Sequence, residues 1–200
     1  MNKENYSVRK AELKDLRKII ELYAEQDELS QARENLSPEL DQAYLKAFER
    51  INQDSNQYLM LLELGQEIIG TCQLTLMPSL TLKGALRLNI EGVRVDEKYR
   101  GQKIGEWMME QVFQYGKDHG VSFVQLTTNK QRLKAKNFYE KLGFVASHEG
   151  MKLDLTLKTI DIPSLDKYQD LIDTSRELAK STGFSEKDLS EAIKAVRKNS

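Results

Sequence analysis

Cysteine is nearly absent. Cys72 is the single thiol among 200 residues, so no intrachain disulfide can form. Histidine occurs only at positions 119 and 148. That is too few for a zinc finger or another thiolate- and imidazole-rich centre, and no metal is expected. Neither sign of charge dominates: Lys plus Arg is 30, Asp plus Glu is 31, and the formal charge is −1. Such balance supplies no long-range field to draw the chain onto nucleic acid or an anionic membrane, so neither is an expected partner. A long hydrophobic run is also missing. The longest nearly apolar stretch, residues 58–62, is far short of a membrane span, and the mean hydropathy is −0.58. The first residues, Met1-Asn2-Lys3-Glu4-Asn5, carry no apolar signal region behind them. These absences point to a soluble, cytoplasmic protein.

Apolar residues make up 40% of the chain and aromatics 8%, which excludes generic disorder. The length suits one domain with a sizeable core, perhaps with an appendage. Residues 6–9 read as a short strand. Leu13, Leu16, Ile19, Ile20 and Tyr23 then recur at helical spacing. Residues 26–36 are polar and aperiodic, a loop. Ser37 as N-cap and Pro38 at the first helical position predict a second helix with Leu40, Tyr44, Phe48 and Ile51 on its apolar stripe. Residues 58–64 and 67–76 around Gly65-Gln66 predict a hairpin, and residues 85–95 a long third strand. Gly92 inside that strand signals a bulge or a close backbone approach. A Gly-flanked turn at 99–105 leads into a helix through Gly116. A buried strand at 122–128 follows, then a helix at 133–142 stopped by Gly143, and last strands at 144–146 and 151–157. The order β-α-α-β-β-β-α-β-α-β-β is α+β, an antiparallel meander with one crossover. Residues 158–200 predict a helical hairpin: a stripe of Leu165, Tyr168, Leu171, Ile172 and Leu178, a break at Ser181-Thr182-Gly183, and a capped second helix from Ser185.

Two stretches carry chemistry. The first runs from Val93 through Arg100-Gly101-Gln102-Lys103-Ile104-Gly105. A strand, a turn and a helix N-terminus aim backbone N–H groups and the positive end of the helix dipole at one spot, a nest for phosphate. The second is Ala135-Lys136-Asn137-Phe138-Tyr139-Glu140-Lys141-Leu142-Gly143-Phe144, which sets a tyrosine on a helix one strand later.

Together these stretches resemble the GNAT superfamily of acetyl-CoA-dependent N-acetyltransferases over about residues 5–157. The turn is similar to the family's Q/R-x-x-G-x-G/A loop, from Arg100 to Gly105, with Lys103 where the pattern has its first glycine. A side chain at 103 leaves the loop amide able to donate provided φ is negative, and adds a charge near a CoA phosphate. The helix matches A-x-x-F-Y-x-x-x-G-F without a gap. The resemblance implies a mixed, mostly antiparallel central sheet with flanking helices and a splayed strand pair; the C-terminal helical appendage, read from the stripes at 158–200, lies outside it. The chain is thus expected to divide into an N-acetyltransferase domain at 1–157 and an extension at 158–200.

The resemblance further implies acetyl-CoA as co-substrate and direct acetyl transfer to a primary amine, on a small molecule or a peptide. Pantetheine would lie between the splayed strands against Val93, Arg94 and Val95. Arg100, Gly101, Gln102, Lys103, Ile104 and Gly105 would hold the pyrophosphate, with Gly105 leaving room for the ligand. Arg132 and Asn129 would approach the CoA phosphates. Glu91 is the candidate base, directly or through water, and Tyr139 the candidate acid for the thiolate. Cys72 and Trp107 read as packed residues, His119 as a partner of a helix C-terminus, and His148 as a loop residue. The alternative is a non-catalytic acetyl-CoA-binding module with a partner-binding tail. The tail is too short for an independent core, and a homodimer is one way to bury its stripes.

Overall fold

Gly65, at φ +64, and Gln66 close a two-residue turn that lays two strands antiparallel. In this computed structural model, which describes residues 5–25, 34–155, 165–183 and 188, that hairpin is the centre of a five-stranded sheet. The strands β1 (Tyr6–Lys10), β2 (Gln57–Leu64), β3 (Glu67–Met77), β4 (Arg87–Val95) and β5 (Phe123–Leu126) lie in sequence order. The first three pairings are antiparallel, and β4 with β5 is parallel. The fold is α+β, as the element order predicts.

Two apolar clusters sandwich the sheet. On one face Leu59 and Leu61 pack with Leu16, Ile19 and Ile20 of α1 (Leu16–Ala24) and Phe48 of α2 (Gln42–Gln53). On the other, Leu62, Leu74, Leu88 and Ile90 pack with Ile104, Met108 and Val112 of α3 (Ile104–Asp118). The helix α4 (Leu133–Lys141) adds Phe138 and Tyr139 to that second cluster. Gly143, at φ +93, ends α4, and the Phe144 amide closes back onto the Tyr139 carbonyl at 3.1 Å.

Several local expectations are corrected. Asp41 caps α2, accepting the Ala43 amide at 2.8 Å, in place of Ser37. The Ser37 hydroxyl donates to the Glu39 carbonyl and the Arg17 guanidinium to the carbonyls of Ser37 and Pro38, so these bonds hold the stretch as a loop ahead of α2. Leu40 just before the cap and Leu45 inside the helix pack on one cluster, which fixes the entry angle. The strand expected at 122–128 is only Phe123–Leu126, and it is half-exposed rather than buried. No strand forms at 144–146 or 151–155, and residues 156–157 of the last expected strand lie outside the described residues. Phe144 is consumed by the helix stop, the Ser147 amide folds back on the Val145 carbonyl, and Met151, Leu153 and Leu155 stay exposed. Alternation without a pairing partner does not make a strand, and among the described residues β5 is an edge of the sheet.

The chain divides into two compact units, Met1–Gly150 and Met151–Ser200. The second contains α5 (Leu165–Thr182), which ends at Gly183 with φ +71, at the break read from the sequence. The second tail helix expected from Ser185 lies outside the described residues, apart from Asp188. No helix among the described residues is long and apolar enough to cross a membrane.

Candidate active site

A bulge in β4 sets the geometry. Thr71 pairs with Arg94 and Gln73 with Glu91, so Gly92 and Val93 together face Cys72. The extra residue resets the alternation. Leu88, Ile90, Val93 and Val95 all reach the α3 side, while Asn89, Glu91 and Arg94 face α1 and α2. Gly92 has φ +58, and a Cβ there would stand 2.8 Å from the Tyr23 hydroxyl. Both meanings of a strand glycine therefore apply, and the approaching group is Tyr23 of α1.

Beyond the bulge the strands separate. Pairing of β4 with β5 ends at Ile90 and Leu126, so among the described residues no strand pairs with 91–95 on that edge. Backbone groups there need partners. The Val93 carbonyl accepts from the Arg94 guanidinium and the Val95 carbonyl from Arg100 Nε, each at 2.9 Å. The splayed pair is present, and the chain's own arginines cover carbonyls that an amide-bearing ligand would engage.

The turn after β4 is held from below. Asp96, buried, accepts from Lys18 Nζ at 2.8 Å and from the Lys98 amide at 3.0 Å. Burial alone would raise its carboxyl, but Lys18 and the Lys98 amide outweigh it and hold the pKa below the ordinary value. Gly101 follows at φ +76, and Gln102 Nε2 donates to the Lys98 carbonyl at 3.0 Å. Trp107 donates the first helical bond, to the Lys103 carbonyl at 3.1 Å. The amides of Ile104, Gly105 and Glu106 therefore have no acceptor within the helix, as an anion nest requires.

Two details depart from expectation. Lys103 has φ +61 and ψ +15, the left-handed region, and not the negative φ that tolerance of a side chain called for. The backbone keeps a glycine conformation with a lysine in it. Gly105 makes room for Phe138 rather than directly for a ligand: a Cβ at 105 would lie 3.3 Å from the tip of that ring. The turn and α4 are thereby packed together.

Tyr139 stands next to Phe138 on α4, half-buried, with Phe138 and Phe144 edge-on to its ring at 5.1 and 5.7 Å. Burial raises its phenol pKa, the Cys72 thiol adds to that, and the positive charges of Arg94 and Arg132 oppose it. Glu91 is exposed and makes no hydrogen bond or ion pair among the described residues. Arg132 caps α4 and feels Tyr139 electrostatically. Asn129 Oδ1 accepts the Gln131 amide at 2.9 Å, so it shapes its own turn. Cys72 is fully buried and its thiol is pushed up to about 12 by burial, consistent with packing. His119 stacks on Tyr115 and meets its carbonyl at 2.8 Å, at the end of α3. His148 pairs with Ser147 Oγ, and Trp107 is buried in the core. Among the described residues no group of three or more His, Cys, Asp or Glu is placed to hold a metal ion.

The helical stripe gave Tyr23 no function. It sits beneath the Arg94 guanidinium, 5.5 Å from the ring centre, and its phenol is pushed up to about 12, chiefly by burial. The only sequence signal for it was Gly92.

The profile of the acetyltransferase (GNAT) family matches residues 16–144. The chain belongs to the GNAT acetyltransferase family. The glucosamine 6-phosphate N-acetyltransferase of Trypanosoma brucei brucei is 35% identical over 88 residues, 44% of this chain and 58% of that enzyme. The chain thus spans little more than half the length of that curated relative. Among solved structures, a transcriptional regulator from Bacillus halodurans C-125 superposes with TM-score 0.71 and 40% identity, covering 74% of this chain and 99% of that one. The glucosamine-6-phosphate N-acetyltransferase of Arabidopsis thaliana superposes with TM-score 0.60 and 25% identity, covering 76% and 99%. The GNAT match runs through the bulged strand, the amide turn and the Tyr139 helix.

Proposed function

We propose that this chain transfers an acetyl group from acetyl-CoA directly to a primary amine. The observation that carries the reading is the open edge of β4, with free helix amides at its end, Tyr139 on the α3 side of the sheet and Glu91 on the α1 side. Residues 101–106 would bind the pyrophosphate through backbone N–H groups, with Lys103 and Arg100 adding charge. The pantetheine amides would take the place of Arg94 and Arg100 at the carbonyls of Val93 and Val95. Glu91 would accept a proton from the amine, directly or through water. The amine nitrogen then attacks the thioester carbonyl, the C–S bond breaks, and Tyr139 protonates the departing thiolate. Placing base and acid on opposite faces of one strand suits a ternary complex, with the acceptor entering on the α1 side and the cofactor on the other.

The test is CoA thiol release with acetyl-CoA and a panel of primary amines, beside calorimetry of acetyl-CoA alone. Turnover that drops by roughly 10²–10⁴-fold in Tyr139→Phe with unchanged acetyl-CoA affinity supports the assignment. Binding without turnover on any amine refutes transfer and leaves an acetyl-CoA-binding module.

A further inference from the structure

The face of the sheet that carries Glu91 changes character along its length. Beneath α1 and α2 it is apolar, with Leu59 and Leu61 buried. Two residues back along β2 it becomes a polar row. Gln57 pairs with Thr75, Thr75 with Asn89, and Asn89 with Gln125, so one register line crosses four strands with a polar side chain on each. Gln73, directly opposite Glu91, begins the next line. Residues directly opposite one another share a face, so the row and Glu91 lie on the same side.

The row is internally wired. Gln57 Oε1 accepts from Gln73 Nε2 at 3.0 Å and from Thr75 Oγ1 at 2.9 Å, and Gln125 Nε2 points to Asn89 Oδ1 at 3.5 Å. Each amide is oriented by one end and offers the other. Gln57 Nε2 and Asn89 Nδ2 remain as donors, and Gln73 Oε1 and Gln125 Oε1 as acceptors, with no protein partner among the described residues. None of these atoms is a buried orphan, and all five side chains are only partly buried.

Resting on the acetyl-transfer reading, we infer that this row is the platform for the acceptor, and that the acceptor is an amine rich in hydroxyl groups, such as an amino sugar or aminocyclitol. A hydroxyl both donates and accepts, which is what an array of alternating amide donors and acceptors satisfies. A polyamine brings donors only and would leave Asn89 Nδ2 and Gln57 Nε2 unmet. An apolar amine would desolvate the whole row without return. The scale also fits: two residues along β4 separate Asn89 from Glu91, about 6–7 Å, and neighbouring strands are about 4.8 Å apart. A six-membered ring laid over Thr75 and Asn89 brings a ring amine to the Glu91 carboxylate.

Two measurements test this. In the CoA-saturated protein, glucosamine should shift the side-chain NH₂ resonances of Gln57, Asn89 and Gln125, while spermidine and butylamine should not. In steady-state kinetics, Thr75→Val with Asn89→Leu should raise KM for glucosamine at least 10-fold and leave acetyl-CoA affinity unchanged. If glucosamine leaves the three NH₂ groups unmoved, or butylamine moves them equally, the platform is refuted. CoA release with spermidine but not with glucosamine also refutes it, while acetyl transfer stands. Resonance shifts with glucosamine and no CoA release with any amine support the platform and overturn acetyl transfer.

Discussion

Replacing Lys103 with glycine should make this protein more stable, the reverse of what a glycine at a helix start ordinarily does. Lys103 is held at φ +61, where an L-residue costs ~1–2 kcal/mol through its Cβ against the following carbonyl. Glycine removes that cost and adds ~0.5–1 kcal/mol of unfolded-chain entropy. The net gain is between about 0 and 1.5 kcal/mol, centred near 0.75. At about 2–4 °C per kcal/mol for a chain of this size, the central value should raise the melting temperature by roughly 2–3 °C. Lys103→Ala is the control. It removes the same charge and the same exposed stem but keeps the Cβ, so it should stay within about 0.5 kcal/mol of the parent. Urea midpoints for the three proteins, measured at one ionic strength, isolate the strain as the difference between the glycine and alanine variants. Glycine no more stable than alanine would refute the strained-turn argument. Acetyl-CoA affinity should fall slightly and equally in both variants, with a smaller salt dependence, because both lose the same cation.

Gly92→Ala should destabilise by about 2–4 kcal/mol, combining positive-φ strain with a Cβ 2.8 Å from the Tyr23 hydroxyl, and Tyr23→Phe should recover part of it; additive effects in the double-mutant cycle would remove the contact from the account. Because burial raises the Tyr139 phenol above its ordinary value, the rate should fall on the alkaline side only above pH 10, and Arg94→Gln should move that limb higher still; a limb below pH 10 would exclude Tyr139 as its source. Asp96 has a lowered folded pKa, so its contribution is present above ~4, the unfolded value, and is lost as pH falls through the folded one. Asp96→Asn should cost about 1–3 kcal/mol at pH 7 and flatten the acid-side loss of stability below pH 4, which urea melts at several pH values would show. Gly101→Val should weaken acetyl-CoA binding by roughly 1–3 kcal/mol in calorimetry, since φ +76 disfavours the side chain and the added bulk sits on the anion nest.

Elements with a local cause were legible in the sequence. The hairpin follows from Gly65-Gln66 between alternating strands, the α4 stop from Gly143, and the turn into α3 from Gly101 placed before a helix. The errors arise where a residue's partner is distant. Nothing near Ser37 announces that Arg17 will take its carbonyl and leave Asp41 as the cap. Met151, Leu153 and Leu155 alternate like a strand, but alternation cannot supply a neighbour. Gly92 signalled a close approach without naming Tyr23, because that contact joins residues far apart in the chain through packing on the sheet. The polar row was equally hidden: Gln57, Thr75, Asn89 and Gln125 are unremarkable in their own strands and become a surface only through register.

The tip of Phe138 stands against Gly105, so the turn before α3 and the Tyr139 helix meet there as one packed piece. Under the proposed assignment that piece is a length gauge. One end grips a diphosphate and the other presents a proton to sulfur, at a separation that packing has set. An acetyl thioester of a clipped carrier, such as N-acetylcysteamine, would engage one end at a time and lose the benefit of both. Discrimination between acetyl-CoA and shorter acetyl donors would then reside in the stiffness of a join that neither donor touches.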